Sequence, residues 1–216
     1  VEDRTRRLER IATELGAVAR VQGVHLVLQL RLLLVHQPPQ ADAPSRGALV
    51  RALLGGADPL AEPLAGYNPC NLLVADPAGL VALESYPAEH RRTLPPGVHG
   101  VSNGALDEAW PKTRALVAAL ADWLDHPAAD PEHLFAALAD RTPRPAHPGE
   151  AGAEAMFNPV FIAGPVYGTR CSTLVLVDAT GNGRMLERRF APTGEPVGES
   201  AVRFSFASGR PAPDRG

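Results

Sequence analysis

The fold class that the sequence predicts is α+β, with antiparallel sheets stacked on each other and helices on the outside. Three observations predict it: strand-and-turn patterns at residues 71–86 and 171–206, helical patterns between them, and no alternation of strands with helices. A doubly wound parallel sheet needs such alternation, whereas strands grouped apart from helices favour an α+β arrangement. We therefore expect a layered α+β sandwich of antiparallel sheets.

The first predicted hairpin consists of two apolar stretches joined by turn-forming residues. Residues 71–75 (NLLVA) and 80–86 (LVALESY) flank Asp76-Pro77-Ala78-Gly79. Asp, Pro and Gly in this position favour a tight turn between antiparallel strands. Residues 71–75 carry apolar side chains on both alternate faces, which predicts a strand that is covered on both sides.

The last third of the chain predicts a second antiparallel sheet. A strand at residues 171–178 turns into a second one at 184–190, and a final strand ends near Phe206. Turn residues rich in Gly and Asn separate these stretches, as hairpins require. Residues 174–177 are apolar on both faces, so we expect this strand to be covered on both sides.

Three helices are predicted from their caps and apolar stripes. The first starts after Ser45, a good N-cap, and stops at Gly55-Gly56. The second has Pro111 in its first position and runs to about residue 125. The third begins at residues 130–132, where Asp-Pro-Glu combines an N-cap with an early acid, and ends near residue 140. Two of the three helices therefore separate the strand-rich parts.

Composition places the chain among soluble globular proteins of one domain or at most two small ones. It has 216 residues, of which 45% are hydrophobic and 21% charged. A net charge of −3 argues against a nucleic-acid partner, since neutralising phosphates needs clustered cations. Lys112 is the only lysine, and abundant Arg, Ala, Gly and Pro are typical of a GC-rich, bacterial coding sequence.

Cysteine use and hydropathy predict the compartment. Two cysteines, Cys70 and Cys171, are too few for a disulfide framework, so we expect a reducing cytoplasm. The apolar run at residues 24–35 is shorter than the roughly 20 residues that a membrane-spanning helix needs. Acidic residues ahead of this run argue against a signal peptide. A buried strand is the favoured interpretation.

Two stretches, residues 94–112 and 158–178, join rigid Pro/Gly turns to extended apolar runs with polar residues at the junction. Asn103 and Arg170 lie at these junctions and are the candidate catalytic residues. An amide at a strand end can donate to a developing oxyanion, and an arginine there can clamp a carboxylate or orient a nucleophile. Structural roles, in a turn for the asparagine and in an ion pair for the arginine, remain open.

Other candidate chemistries have weaker patterns. Gly100-Val101-Ser102-Asn103-Gly104 matches the nucleophile-elbow motif, but the surrounding elements do not fit an α/β hydrolase. A serine hydrolase built on Ser102 would take its partners from Asp125 or Asp130 and His133 or His147. Cys171 lies beside Arg170, although a packed thiol is the favoured interpretation. No metal-ligand spacing is present, so we expect no metal and no cofactor, and His99 fits a structural histidine.

Five ordered motifs resemble a known family. They are Ser45-Arg46-Gly47 before a helix, Tyr67-Asn68 with NLLV at 71–74, LPPGVHGVSN at 94–103 with WPK at 110–112, PVFIAGPVYGTR at 159–170 followed by Ser172-Thr173, and ERRF at 187–190. Together, from about Pro44 to Phe206, they resemble the NRDE family, also called the transport-and-Golgi-organisation type.

The resemblance implies a fold and a set of site residues. The fold would be an Ntn-hydrolase-like four-layer α-β-β-α sandwich of antiparallel sheets, in which an N-terminal Cys, Ser or Thr attacks an amide. By analogy with that fold, Asn103 would be the oxyanion donor and Arg170 the neighbour of the nucleophile. The candidate substrate-binding residues are Asn71, a weaker candidate, together with His99, Tyr167 and Thr169. The expected partner is a small amphipathic molecule, and haem handling and acyl-lipid metabolism both come into consideration.

The chain also departs from the family pattern. Members begin with Cys after the initiator Met and carry Asn-Arg-Asp-Glu some twenty residues later, and residues 1–40 contain neither feature. A helix at residues 3–15 and a strand at 25–35 are the patterns found there instead. We therefore set residues 1–40 apart as a diverged or out-of-frame segment that leaves the fold incomplete at its N-terminus. Residues 41–208 would form the domain and 209–216 a disordered tail.

Three functions follow as expectations. The first is an Ntn-hydrolase-like protein that is inactive as written because the N-terminal thiol is missing. The second is a non-catalytic protein that binds or carries haem or an acyl lipid. The third is the serine hydrolase that uses Ser102. The sequence predicts neither the oligomeric state nor the ligand.

Overall fold

The computed structural model describes residues 16–21, 24–28, 43–76, 79–85, 88–102, 104–126, 130–145, 158–165, 167–178 and 180–205. Asn103, the helix predicted at residues 3–15 and the tail predicted at 209–216 lie outside the described residues. Within the described ranges the chain forms two antiparallel sheets and three helices. The predicted mixed α+β class is therefore confirmed.

Strands and helices follow one another along the chain in groups and not in strict alternation. They are β1 Gly16–Val21, β2 Val24–Leu28, α1 Arg46–Leu54, β3 Asn71–Asp76, β4 Gly79–Glu84, β5 His90–Thr93, β6 Gly97–Val101, α2 Pro111–Asp125, α3 Glu132–Leu138, β7 Cys171–Val177, β8 Asn182–Phe190 and β9 Pro196–Ser205. The larger sheet has six strands in the order β6-β1-β2-β7-β8-β9, and the smaller has the order β3-β4-β5. Every strand pair is antiparallel.

Most of these elements form where local sequence signals predicted them. Ser45 caps α1, since its Oγ accepts a hydrogen bond from the Ala48 N–H at 3.2 Å. Pro111 opens α2, and β3 pairs with β4 across the predicted turn. α3 begins two residues after Asp130, whose Oδ1 accepts from the Glu132 N–H at 3.0 Å. These predictions are confirmed.

Two strands were not predicted. β5 has the polar sequence HRRT and is mostly exposed, so it lacks the apolar alternation that marks a strand. β1 lies in the segment set apart as atypical, where it pairs with β2 on one side and β6 on the other. Both strands exist because a neighbouring strand satisfies their backbone hydrogen bonds, which is a tertiary effect.

Three apolar clusters show which elements pack together. α2 and α3 cover one face of the six-stranded sheet, where Leu120 and Leu134 pack around Leu174 of β7. α1 covers one face of the small sheet through Leu49. The other face of the small sheet meets Val101 at the end of β6, in a cluster with Leu80, Ala82, Leu94 and Leu106. Among the side chains that the structure describes, the two sheets therefore come into contact at the end of β6.

Candidate functional site

The two stretches singled out in the sequence lie at the same end of the six-stranded sheet. Val101, the last residue of β6, pairs with Gly16 of β1, and Leu28, the last residue of β2, pairs with Leu174 near the start of β7. β6 therefore ends where β7 begins, and we call this the site end of the sheet. Two strands lie between them, so three strand spacings separate β6 from β7 by about 14 Å.

The small sheet holds the loop of residues 102–110, called the site loop, which follows β6. Asn71 Nδ2 donates to the Gly104 carbonyl at 2.9 Å, and Glu84 Oε1 accepts from the Leu106 N–H at 2.6 Å. Asn71 and Glu84 face each other across β3 and β4, and both are buried. Asn71 thus binds the protein's own backbone next to Asn103, and its predicted contact with substrate stays a prediction.

His99 is also engaged by the protein. Its Nδ1 lies 2.9 Å from Asp107 Oδ2 and its Nε2 lies 3.0 Å from the Pro95 carbonyl oxygen. Asp107, which has a φ of 65°, also accepts the Gly100 N–H at 2.9 Å through Oδ1. Aspartate tolerates this left-handed backbone better than most residues. The histidine therefore braces the site loop, and a ligand that binds a ring nitrogen must displace one of these oxygens.

Hydrogen bonds between its own residues hold the loop that precedes β7. The Thr169 N–H donates to the Ile162 carbonyl at 2.8 Å, and the Ile162 N–H donates to Thr169 Oγ1 at 3.1 Å. Arg170 Nη2 donates to the Gly164 carbonyl at 2.9 Å. Thr169 is 1% exposed, whereas Tyr167 is 37% exposed. The structure therefore places these two predicted substrate-binding residues in different environments, one inside the loop and one at its surface.

Several buried polar atoms near the site end have no hydrogen-bond partner in the described part of the chain. They include Arg170 Nη1, Thr173 Oγ1, Glu187 Oε2 and Ser102 Oγ. Thr173 of β7 lies directly opposite Glu187 of β8. A buried polar group without a partner costs about 1–3 kcal/mol, so such groups are uncommon unless something else binds them. These atoms are the best candidates for ligand contacts.

Sequence reasoning did not assign a role to Thr173, Glu187 or Lys112. All three belong to motifs quoted for the resemblance, and that was the only signal that pointed to them. Lys112 is 2% exposed at the start of α2, with its Nζ 5.8 Å from the centre of the Trp110 ring. A lysine is rarely buried so completely unless the protein pairs its charge, so this lysine fits a structural role.

The nucleophiles considered in the sequence are both buried. Cys171 is 8% exposed, which confirms the prediction of a packed thiol. Ser102 is 1% exposed, and its Oγ makes no hydrogen bond to any described histidine. An activated serine needs a base within hydrogen-bonding distance. The geometry therefore lends no support to a Ser102 hydrolase that uses His133, and His147 lies outside the described residues.

Shifted pKa values occur away from the site end. Burial raises the pKa of Asp140, but hydrogen bonds from Thr142 and the charge of Arg144 outweigh it and hold the pKa below its usual value. Burial lowers the pKa of Arg188, yet Glu132 and Glu199 raise it further than burial lowers it. Both shifts belong to structural ion pairs: the first follows α3, and the second joins α3 to β8 and β9.

Comparison with known families decides the classification. A sequence profile described as Transport and Golgi organisation 2 (TANGO2) matches residues 16–192. The chain belongs to the TANGO2 family. This confirms the resemblance to the NRDE family, which is the same type. The match extends over β1 and β2 and ends before β9.

A search of curated proteins found no match to this TANGO2 protein. None of the described helices is both long and apolar enough to cross a membrane. Within the described ranges, no group of three or more His, Cys, Asp or Glu side chains is arranged to hold a metal ion.

Proposed function

We propose that this TANGO2 protein is an Ntn-hydrolase-like domain that binds a small amphipathic acyl amide at the site end of its six-stranded sheet. The order of the packed elements supports the sandwich. α2 and α3 cover the large sheet, the large sheet meets the small one at β6, and α1 covers the small sheet. That order is α-β-β-α, the layering that the family resemblance implies.

The unsatisfied polar atoms on and beside β7 and β8 carry the proposal. Arg170 Nη1 is a charged donor, Glu187 Oε2 is an acceptor, and Thr173 Oγ1 can do either. An amide group offers a carbonyl acceptor and an N–H donor, so its two ends match the arginine and the glutamate. Tyr167, on the surface of the loop before β7, offers an apolar face to the acyl chain.

The proposal is limited to binding. Covalent catalysis needs an activated nucleophile, and Ser102 and Cys171 are both buried. The expectation that the chain is catalytically inactive as written stays a prediction. Haem, the other ligand class considered, has less support because both ring nitrogens of His99 already face protein oxygens.

Fluorescence titration with a dodecanoyl amide that carries a dansyl group tests the proposal. We expect saturable binding to the parent chain and about tenfold weaker binding to Arg170→Gln, which loses a charged hydrogen-bond donor. Arg114→Gln, which changes an exposed arginine on α2, is the matched control and should bind like the parent.

Thr173→Val separates a binding role from a structural one. Valine has nearly the shape of threonine, and the hydroxyl that it removes has no partner in the described protein. We therefore expect unchanged or higher stability to urea together with weaker binding of the amide. Equal affinity in the parent, Arg170→Gln and Thr173→Val proteins, or no binding to any of them, would refute the proposed site.

A further inference from the structure

β9 is a long edge strand that is exposed on both faces. It spans ten residues, Pro196–Ser205, and all of them except Gly198 and Phe204 are exposed. Val197 is 63% exposed and Val202 is 57% exposed. No described strand pairs with the outer edge of β9. Free edges of this kind offer a row of backbone donors and acceptors to another strand.

The charges on β9 are only partly balanced. Arg188 of β8 lies opposite Glu199 of β9, and its Nε donates to Glu199 at 2.6 Å. Arg184 of β8, by contrast, lies opposite Arg203 of β9, and neither arginine has an ion-pair partner among the described residues. Like charges directly opposite each other destabilise a sheet. Arg203 therefore has no carboxylate partner in its own sheet. A strand that paired with the free outer edge of β9 could supply one.

We propose that two copies of this chain pair through β9, antiparallel, with the two-fold axis at Ala201. Residues whose numbers add to 402 then lie opposite each other, so Glu199 of each copy faces Arg203 of the other. Val202 faces Ser200, and Val197 faces Ser205. The six strands of each copy form one continuous sheet. Each Arg203 gains the carboxylate that its own sheet does not supply.

The charges select this register over its neighbours. Opposed residues of a continuous sheet must point to the same face, so a symmetric pairing has its axis on a residue. An axis at Ser200 places Arg203 opposite Val197, and an axis at Val202 places it opposite Ala201. Neither forms the ion pair. Pro196, which has no N–H to donate, falls outside the stretch 197–205 that pairs about Ala201.

β9 lies beyond the part of the chain that matches the family profile, which ends at residue 192. The proposed contact therefore rests on this chain's own residues and not on the family match. It is also independent of the acyl-amide site, because sedimentation of the unliganded protein measures it.

A charge exchange tests the register. Arg203→Glu places a glutamate opposite Glu199 of the other copy, and Glu199→Arg places an arginine opposite Arg203. We expect the parent to sediment as a dimer, each variant alone to dissociate at least tenfold more readily, and an equimolar mixture to form a heterodimer. Circular dichroism checks that each variant is folded, which matters for Glu199→Arg because it also loses the bond to Arg188.

A single cysteine gives a second, independent measurement. Ala201→Cys places two thiols opposite each other on the axis, whereas Val197→Cys places its thiol opposite Ser205. Both native cysteines are buried, so the new thiol reacts first. We expect mild oxidation to join the Ala201→Cys protein into a reducible dimer and to leave the Val197→Cys protein largely unlinked.

Three results would overturn the proposal. A parent chain that stays monomeric at every concentration leaves the edge to some other partner. If the mixture of the two charge variants fails to dimerise, the ion pairs proposed between Glu199 and Arg203 of the two copies do not form. If the Ala201→Cys and Val197→Cys proteins cross-link equally well, the proposed register about Ala201 is wrong.

Discussion

Replacing Glu84 with alanine tests how the small sheet holds the site loop. Glu84 is 3% exposed, its Oε1 accepts the Leu106 N–H at 2.6 Å, and its Oε2 lies 3.2 Å from Arg92 Nη2. A hydrogen bond to a charged group contributes about 1.5–3 kcal/mol. The ion pair adds at most about 1 kcal/mol, because the Arg92 side chain is 48% exposed. We expect Glu84→Ala to lower the free energy of unfolding by about 1.5–4 kcal/mol.

Urea denaturation at neutral pH measures the change in the free energy of unfolding. Two further variants separate the contribution of the hydrogen bond from that of the ion pair. Glu84→Gln keeps an oxygen for the Leu106 N–H but loses the charge, so we expect a loss of about 1 kcal/mol. Arg92→Ala removes the half-exposed ion pair and a weak 3.4 Å bond to the Leu106 carbonyl, and should change stability by at most about 1 kcal/mol. The alanine variant at position 84 should therefore stand well apart from the other two.

Two outcomes would refute this reasoning. If the free energy of unfolding of Glu84→Ala lies within about 0.5 kcal/mol of the parent's, the carboxylate does not hold the site loop. If Glu84→Gln is as unstable as Glu84→Ala, the charge matters and the hydrogen bond to the backbone does not. Asn71→Ala is a useful companion, because it removes the neighbouring bond to Gly104 and leaves Glu84 in place.

Three further predictions concern packing, loop geometry and pH. Gly100→Ala should lower stability by about 1–3 kcal/mol, since its Cβ would lie 2.5 Å from Thr113 Cγ2, and Thr113→Ser in the same chain should restore part of the loss. Asp107→Ala should cost about 1–3 kcal/mol in urea, because it frees the buried Gly100 N–H, whereas Asp107→Asn should cost less. The stability difference between the parent and Asp140→Asn should be constant above about pH 5 and shrink below it, because the folded-state pKa of Asp140 lies below 3.8.

Each of these has a contrary result. Gly100→Ala at parental stability would mean that β6 and α2 separate without cost. Equal losses for the alanine and asparagine variants at position 107 would point to the charge instead of the hydrogen bond. A stability difference for Asp140→Asn that grows as the pH falls from about 5 to about 3 has the wrong sign for a lowered pKa.

The sequence pointed to the two loops beside the site end, but it did not predict the contacts that hold them. The Pro/Gly turns around residues 94–112 and 158–178 identified the two loops, and both flank the site end. The hydrogen bond from the Leu106 N–H to Glu84 was not predicted, because nothing in either local stretch specifies its partner. Thr173 and Glu187 lie opposite each other only through the register of β7 and β8, which depends on the whole sheet.

By itself, the sequence determined the elements whose signals are local. Ser45 satisfies a free N–H at the start of α1, Pro111 presets the first turn of α2, and β3 pairs with β4 from Asp76 and Gly79 onward, as the turn residues predicted. Tertiary structure decided which strands became neighbours. β5, with its polar sequence, is a strand because β4 completes its hydrogen bonds. Capping and turn energies depend on a few adjacent residues, whereas strand pairing depends on residues far apart in the chain.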